Sequence, residues 1–515
     1  FHIFLRGEGG TGKSEFIRTL YQTLLKMLNP STIHDNLPIL ITSFTGRAST
    51  NVNGFTLNTL FKLPLKHKGR LPPLSEKSLL SIRKAFRHVR LLIIDEISMV
   101  SSKMLHYVCV RLMQIKNNNQ IFGGISVLVV GDFNQLPPIS EKPVYQKRTT
   151  NPYEDLIPYS LWSHFRLFEF TEIMRQKDDL EYANIVKVIG DKGIEFCSNE
   201  QIERLNSRIV ESIDDIPDDA YILCHTNENV ADFNKKRIED SEGELIVHYS
   251  VNVAVGKDSD SKEAIKAAKQ WGKKGTIKND ETGLELAHKL NLKLDKKYMI
   301  TTNMNLADGL CNGTVGVLRK IVMETEENPE LPRVACLWME LEGSAGHQAR
   351  LSNRHLNIRD RVPLESNLTP ITCLAITIET SSDDLKYRIQ RLQFPLVECE
   401  AMTIHKSQGQ TFEKMALFLN NEDGQVQLMQ KLLYTALGRC KSLSGLYFFG
   451  AYCNSVRKER TITQLKVIER KRLNEDGRIE MERMREESQL LTESDPENIL
   501  DEMFQMAENN QLSSF

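Results

Sequence analysis

Gly7-Glu8-Gly9-Gly10-Thr11-Gly12-Lys13-Ser14 places four glycines, a lysine and a hydroxyl within eight residues. That set suits a polyphosphate. Glycines let successive backbone N–H groups curl around an anion. Lys13 supplies charge for the β- and γ-phosphates, and Ser14 supplies an oxygen for Mg²⁺. The loop needs a strand before it and a helix after it. The apolar run Ile3 to Leu5 reads as a buried strand, and Glu15 to Met27 has helical character. Such a helix points its positive N-terminus at the same anion. Gly7, Gly9, Gly10, Thr11, Gly12, Lys13 and Ser14 are therefore the expected nucleotide cradle, and a nucleoside triphosphate with Mg²⁺ the expected ligands.

A second apolar strand, Leu91-Leu-Ile-Ile, ends in the adjacent carboxylates Asp95 and Glu96. One carboxylate can share Mg²⁺ with Ser14, and the other can orient and activate an attacking water. Asp95 takes the first role and Glu96 the second. A third strand, Ser126 to Val130, runs into Gly131-Asp132-Phe133-Asn134-Gln135-Leu136-Pro137-Pro138. A polar side chain at a strand's carboxyl end can sense the γ-phosphate, which selects Gln135.

These segments, in this order, resemble superfamily-one DNA helicases, most closely the petite-integration-frequency (Pif) type, which is related to RecD-like enzymes and to the helicase part of Helitron transposons. The resemblance continues to about residue 450. It includes Thr171-Glu-Ile-Met-Arg175-Gln176, Tyr221-Ile-Leu-Cys-His-Thr226-Asn227 and Asp308-Gly309-Leu-Cys-Asn312-Gly313-Thr-Val-Gly316. It ends with Thr403-Ile-His405-Lys406-Ser407-Gln408-Gly409-Gln-Thr411, similar to motif V, and Tyr434-Thr435-Ala436-Leu437-Gly438-Arg439, similar to motif VI. The resemblance implies that Arg175 and Arg439 stabilise phosphoryl-transfer charge and that Gly409 lets the motif V backbone approach phosphate. It places Thr45, Asn58, Phe61, His405 and Ser407 on a DNA path; His405 also reads as a structural hydrogen-bonded residue. Asn58 stands where relatives often carry His, and Gly438 where Ser is common. The family's adenine-reading glutamine motif would precede Phe1, so the chain reads as part of a longer protein.

Formal net charge is −2. Nucleic-acid binding must then come from local patches. From Lys62 to Arg90 there are nine Lys or Arg against one acid, Glu76. Pro64, Gly69, Pro72 and Pro73 make the first half a loop. A solvated loop would look the same, but the position between motifs corresponds to the family's small 1B insertion. Lys66, Lys68 and Arg70 are the DNA-contact residues this predicts. The nine cysteines form no Cys-x-x-Cys pair, so reduced thiols are expected rather than a metal cluster. No apolar run reaches the ~18 residues of a membrane span, and no signal-peptide pattern opens the chain. A nuclear or mitochondrial setting and a monomer are the expectations.

The fold expected is α/β: two RecA-like domains with parallel sheets, a small 1B insertion and a partly β, SH3-like 2B insertion. Domain 1A takes residues 1–165, with 1B at about 60–90. Domain 2A takes 166–245 and 395–455, and 2B takes 246–394. Residues 456–515 form a charged tail. Within it, Arg457 to Arg472 holds seven bases against two acids, and Glu493 to Phe515 holds six acids and no base; a solvated helix followed by disorder is expected. The implied function is an ATP-dependent helicase, 5′-to-3′ by resemblance, acting on single-stranded and forked DNA. The alternatives are a DNA-stimulated ATPase without efficient unwinding, the helicase part of a transposase, and an inactive binding remnant.

Overall fold

The structure is a computed structural model. It describes all residues except 28–37, 53, 64–70, 140, 147–160, 256–260, 263–265, 267, 270–274, 279–284, 306–307, 324–333, 342, 344, 353–366, 380–387, 420–429, 451–476, 478 and 487–515. Contacts divide the chain into two units. One holds the described residues up to Ala220 together with those from Ser407 onward, and the other holds those from Tyr221 to Lys406.

The first unit is built on six parallel strands: β1 (His2–Gly7), β2 (Ile39–Ser43), β3 (Phe55–Thr56), β4 (Leu91–Asp95), β5 (Ser126–Gly131) and β6 (Arg166–Phe170). Their spatial order is β3-β2-β4-β5-β1-β6. Side chains alternate across a strand, and both faces of this sheet are apolar. Ile3, Leu5, Ile93, Leu128 and Val130 pack against Ile17, Leu20 and Leu24 of α1 (Lys13–Met27). Phe4, Leu92, Ile94, Val127 and Val129 share the opposite core with Met104, Leu105, Val108 and Leu112 of α5 (Ser102–Lys116). Near-continuous apolar strands covered on both faces are what a parallel sheet requires. Order in the sheet makes β5 the neighbour of both β1 and β4, so the carboxyl ends carrying Gly7, Asp95 and Gly131 lie side by side. Open α/β sheets bind ligands at that edge.

The sheet extends the first domain beyond the expected boundary at 165, because β6 pairs in register with β1, Ile3 with Arg166 through Gly7 with Phe170. Of the basic insertion, α4 (Glu76–Ala85) starts at Ser75, whose hydroxyl accepts from the Ser78 N–H. Such a cap satisfies one of the helix's free donors. Buried Arg111 on α5 ties the insertion down, with Nε donating to Phe61 O at 3.2 Å and Nη2 to Pro72 O at 3.0 Å. Lys66, Lys68 and Arg70 lie outside the described residues. Part of the charged tail is not solvated: within residues 479–486, Met481 and Met484 join the α5-side core. Their apolar spacing was too sparse to announce a buried face.

The second unit is mostly antiparallel. Its largest sheet has five strands in the order Leu368–Ile371, Val334–Leu341, Val315–Met323, Lys297–Ile300, Leu396–Glu398. A three-stranded sheet of Leu374–Glu379, Arg388–Gln393 and Val251–Val255 accompanies it. Tyr221–Cys224 pairs in parallel with Ala401–Thr403 and leads into the helix Asn227–Glu239. No helix among the described residues is long and apolar enough to cross a membrane.

Candidate nucleotide site

A cavity of ≈ 310 Å³ opens at the carboxyl edge of the parallel sheet. Gly9, Gly10, Gly12, Lys13, Ser14, Glu15, Arg18, Asp95, Glu96, Gln135, Met174, Arg175, Gly409 and Arg439 line it. All belong to the first unit. Gly7 ends β1 beneath the loop, and Thr11 braces the loop by donating its hydroxyl to Glu8 O at 3.0 Å. Gly10 has φ +90, and a Cβ there would stand 2.5 Å from the Arg175 Cβ. Only glycine meets both demands. Its carbonyl accepts the N–H groups of Met174 and Arg175, at 2.8 and 3.0 Å. That contact brings the Arg175 segment onto the loop.

Lys13 donates to Gly7 O at 2.7 Å and Glu8 O at 2.8 Å. Burial lowers its pKa, while the charges of Asp132, Glu96 and Asp95 pull it back up. Asp95 and Glu96 are buried neighbours. Burial, then the Glu96 charge, raises the Asp95 carboxyl well above its ordinary range. Glu96 also sits in the left-handed region, φ 56 and ψ 45. Non-glycine residues held there gather at functional sites. Adjacent carboxylates and the Ser14 hydroxyl are hard oxygen donors, the set Mg²⁺ prefers, and a divalent cation would relieve the repulsion that raises Asp95. The residues present fit that ion.

Two arginines complete the pocket. Arg175 Nη1 donates to Gly438 O at 2.5 Å. Arg439 Nη2 donates to Gln135 Oε1 at 2.9 Å, and its Nε to Thr435 O at 3.1 Å. Neither pairs with a carboxylate among the described residues. Burial, then the Arg439 charge, pushes Arg175 down to about 9, still protonated at neutral pH. Like charges gathered with a lysine, their hydrogen bonds going to uncharged acceptors, make a site that an anion completes. Arg439 lies just past the helix Gln430–Leu437 and is tied back to it by the bond to Thr435 O. Tyr182 Oη, Arg175 Nη1 and Gln176 Nε2 donate to the carbonyls of Leu437, Gly438 and Cys440. Leu437 O is a free acceptor at the helix's carboxyl end, and Gly438 O and Cys440 O lie just beyond it.

Two residues inside the quoted motifs take parts that the sequence did not assign. Tyr434 Oη donates to Asp132 Oδ2 at 2.7 Å and accepts the Gly9 N–H at 3.1 Å. Gln135 Nε2 donates to the same Asp132 oxygen at 3.2 Å. The glycine-rich loop, Gln135 and Arg439 are thus joined through one phenol and one carboxylate. Gln408 Nε2 donates to Glu96 Oε2 at 3.0 Å.

The expected DNA contacts fare unevenly. Phe61 is fully buried, packed with Phe86 at a ring distance of 5.8 Å. It is a core residue, which corrects its expected place on the DNA path: a side chain with no exposed face cannot receive a base. Ser407 is also fully buried. Thr45 accepts the Ala48 N–H at the start of α2 (Gly46–Asn51), and Asn58 is half-buried in α3 (Leu57–Phe61). His405 is half-buried, its pKa lowered by burial and then by His225.

The sequence model described as "PIF1-like helicase" matches residues 1–193. The ATP-dependent DNA helicase PIF1 of Candida albicans is 25% identical over 526 residues, covering 90% of this chain and 54% of the relative. The Psychrobacter helicase Pif1 is 28% identical, covering 88% of this chain and 67% of that one. The chain thus spans about half the length of the Candida relative. A crystal structure of Pif1 helicase from Bacteroides in complex with ADP-AlF3 and ssDNA superposes with a TM-score of 0.57 at 22% identity, covering 87% of this chain and 88% of that one. That likeness establishes the shared α/β fold. Residues 1–193 thus match the PIF1-like helicase model, and the curated relatives carry the likeness through nine-tenths of the chain.

Proposed function

We propose that the chain is the motor of an ATP-dependent DNA helicase that moves 5′-to-3′ on single-stranded DNA and opens forked duplex. The observation that carries this reading is the convergence of Lys13, Glu96, Gln135, Arg175 and Arg439 on one cavity. The loop cradles the phosphates, and Ser14 with Asp95 would hold Mg²⁺, which offsets charge on the β- and γ-oxygens when bound. Glu96 receives the proton of the attacking water. Arg175 and Arg439 stabilise the charge that develops on the transferred phosphoryl group. Relatives named as ATP-dependent DNA helicases, and the Bacteroides structure with ADP-AlF3 and ssDNA, support nucleotide and DNA as ligands. Exposed bases of the insertion, Lys62, Lys77, Lys84, Arg87 and Arg90, are the DNA contacts we assign among the described residues.

The test is ATP turnover with and without single-stranded DNA, beside strand displacement on forks tailed at either end. Stimulated turnover and opening of the 5′-tailed fork are expected. Lys13→Ala should abolish turnover, and Glu96→Gln should bind nucleotide yet fail to hydrolyse it. Stimulated turnover without displacement would make the chain a translocating ATPase. No DNA stimulation would refute the motor.

A further inference from the structure

Gln408 is 3% exposed, and only one end of its amide is used. Nε2 donates to Glu96 Oε2 at 3.0 Å, while Oε1 is buried with no hydrogen-bond partner. This orientation follows from chemistry, since a carboxylate accepts and cannot face an amide oxygen. A buried acceptor left empty is costly, and native proteins rarely keep one without a use. Its position is informative. The next residue, Gly409, lines the nucleotide cavity, and Gln410 O accepts Arg439 Nη1 at 3.4 Å. The Gln410 N–H donates to Ser407 O at 3.0 Å, closing a tight turn. One turn therefore touches both Glu96 and Arg439. Glu96 is the cavity carboxylate held in a left-handed backbone conformation. Its side-chain direction is set from two sides, by that backbone and by the Gln408 amide.

We infer that Gln408 is a positioning residue for hydrolysis: its amide nitrogen fixes the Glu96 carboxylate, and its unpartnered oxygen joins Glu96 as a second acceptor for the attacking water. The inference rests on the proposed ATPase activity. In the step, the water oxygen forms a bond to the γ-phosphorus. The bond from that phosphorus to the β,γ-bridging oxygen breaks, and its electron pair leaves with ADP. One water proton passes to Glu96. Gln408 exchanges no proton; it receives the water's other hydrogen in a hydrogen bond, which orients a lone pair toward phosphorus.

Gln408→Met separates this role from a structural one. Methionine fills a similar volume and removes both the donor and the orphaned acceptor. A residue kept for stability would lower the melting temperature when lost. Losing the orphaned acceptor offsets the lost bond to Glu96, so that temperature should change little. The expected kcat for DNA-stimulated hydrolysis falls about 10²-fold, in the range of a lost acid–base positioning contact, with KM for ATP within about twofold. ADP–aluminium fluoride trapping, which needs the attacking water in line, should weaken more than tenfold. Binding of a non-hydrolysable ATP analogue should hold. Gln408→Glu, which keeps size but sets a second carboxyl group against Glu96, should lose kcat to a similar extent. The parent chain and Lys13→Ala are run alongside. A parent that neither hydrolyses nor traps removes the proposed function, and this inference with it. An active, trapping parent with Gln408→Met within twofold in kcat overturns the Gln408 role alone. So does a Met variant that melts lower and loses kcat and ATP affinity together.

Discussion

The polar groups of the nucleotide cavity and three buried ones of the antiparallel unit are held on different terms. Within Tyr221–Lys406, fully buried Arg391 donates to Asn252 Oδ1 at 2.8 Å and to Gly275 O at 2.6 Å. Buried Asp308 accepts the N–H groups of Gln348 and Ala349, at 2.7 and 2.8 Å, at the start of the helix His347–Ser352. Tyr298 Oη donates to Asn291 O and accepts the Lys293 N–H, both at 2.8 Å. Each of these groups has hydrogen-bond partners fixed within its own unit. In the cavity, two arginines crowd each other, two carboxylates repel, Glu96 is strained, and Gln408 Oε1 is empty. Proteins break local rules where a ligand or reaction completes them. The contrast marks one region as scaffold and the other as a site waiting for an anion and a cation.

Arginine substitutions test that contrast most sharply. Arg439→Ala and Arg175→Ala should each cut kcat on the order of 10³-fold, the scale of an arginine acting on transferring phosphate, with a smaller change in nucleotide affinity. Arg391→Met should leave kcat intact and cost about 2–4 kcal/mol of stability, because it strands the groups that now receive the guanidinium. Steady-state kinetics and chemical denaturation on the three variants separate the cases. If Arg439→Ala melts like Arg391→Met and loses affinity rather than kcat, both regions are scaffold.

Tyr434→Phe comes next in size. It removes only the hydroxyl between the Gly9 N–H and Asp132. One hydrogen bond of about 1–1.5 kcal/mol corresponds to roughly tenfold in rate if it matters in the transition state. The ring itself is held against Gly190, where an added Cβ would stand 2.5 Å from two ring carbons. Gly190→Ala should therefore displace the ring, lower kcat with it and cost about 1–3 kcal/mol in overpacking. If Gly190→Ala slows turnover but Tyr434→Phe does not, the ring and not the hydroxyl carries the link.

Which parts of this were legible in the sequence follows from how local each contact is. The phosphate loop is one unbroken segment whose glycines, lysine and serine must be adjacent, so its chemistry shows in the residues themselves. The strands that carry Gly7, Asp95 and Gly131 followed from apolar runs ending in polar residues; their order in the sheet did not. Gln408 and Tyr434 were not legible as site residues, because their decisive contacts span 312 and 425 residues. Each lay inside a motif, but no spacing rule says which member turns inward. Phe61 misled for the converse reason: an aromatic beside polar motif residues looks available, and only packing shows it is core. Met481 and Met484 lie in a charged stretch whose few apolar residues gave no period strong enough to read as buried.

Asp95 offers a stability test with a sign. Its folded pKa is raised by burial and by Glu96, so the folded state holds this proton more tightly than the unfolded chain does. Stability therefore falls as pH rises from the unfolded value of about 4 through the raised folded value. Asp95→Asn removes the buried charge and keeps an acceptor for the Glu96 N–H, now bound at 2.8 Å. Without Mg²⁺, the variant should melt higher than the parent at pH 8, and the gain should shrink toward pH 4. Saturating Mg²⁺ and nucleotide should stabilise the parent and not the variant. A variant that melts lower than the parent at pH 8 would mean the Asp95 charge is already compensated, and the contrast with the antiparallel unit would lose its best case.

The smallest expected effect concerns the basic insertion. Lys77 and Lys84 on α4, and Arg87 just beyond it, are exposed. The Ser75 cap and the Arg111 bonds to Phe61 O and Pro72 O hold their backbone in place. Changing all three to Gln leaves those bonds untouched, so the fold should stand. Each lost phosphate contact lowers the salt slope of single-strand binding by about 0.7, so three real contacts would lower it by roughly 2. Hydrolysis at saturating DNA should be unchanged, since none of the three lines the cavity. Fluorescence anisotropy across a salt series, parent beside triple variant, reads the slope directly. An unchanged slope would make these residues a solvated surface and move the DNA path elsewhere. A reduced slope with unimpaired turnover would place phosphate binding on the insertion and hydrolysis in the cavity, two tasks carried by separate parts of the same unit.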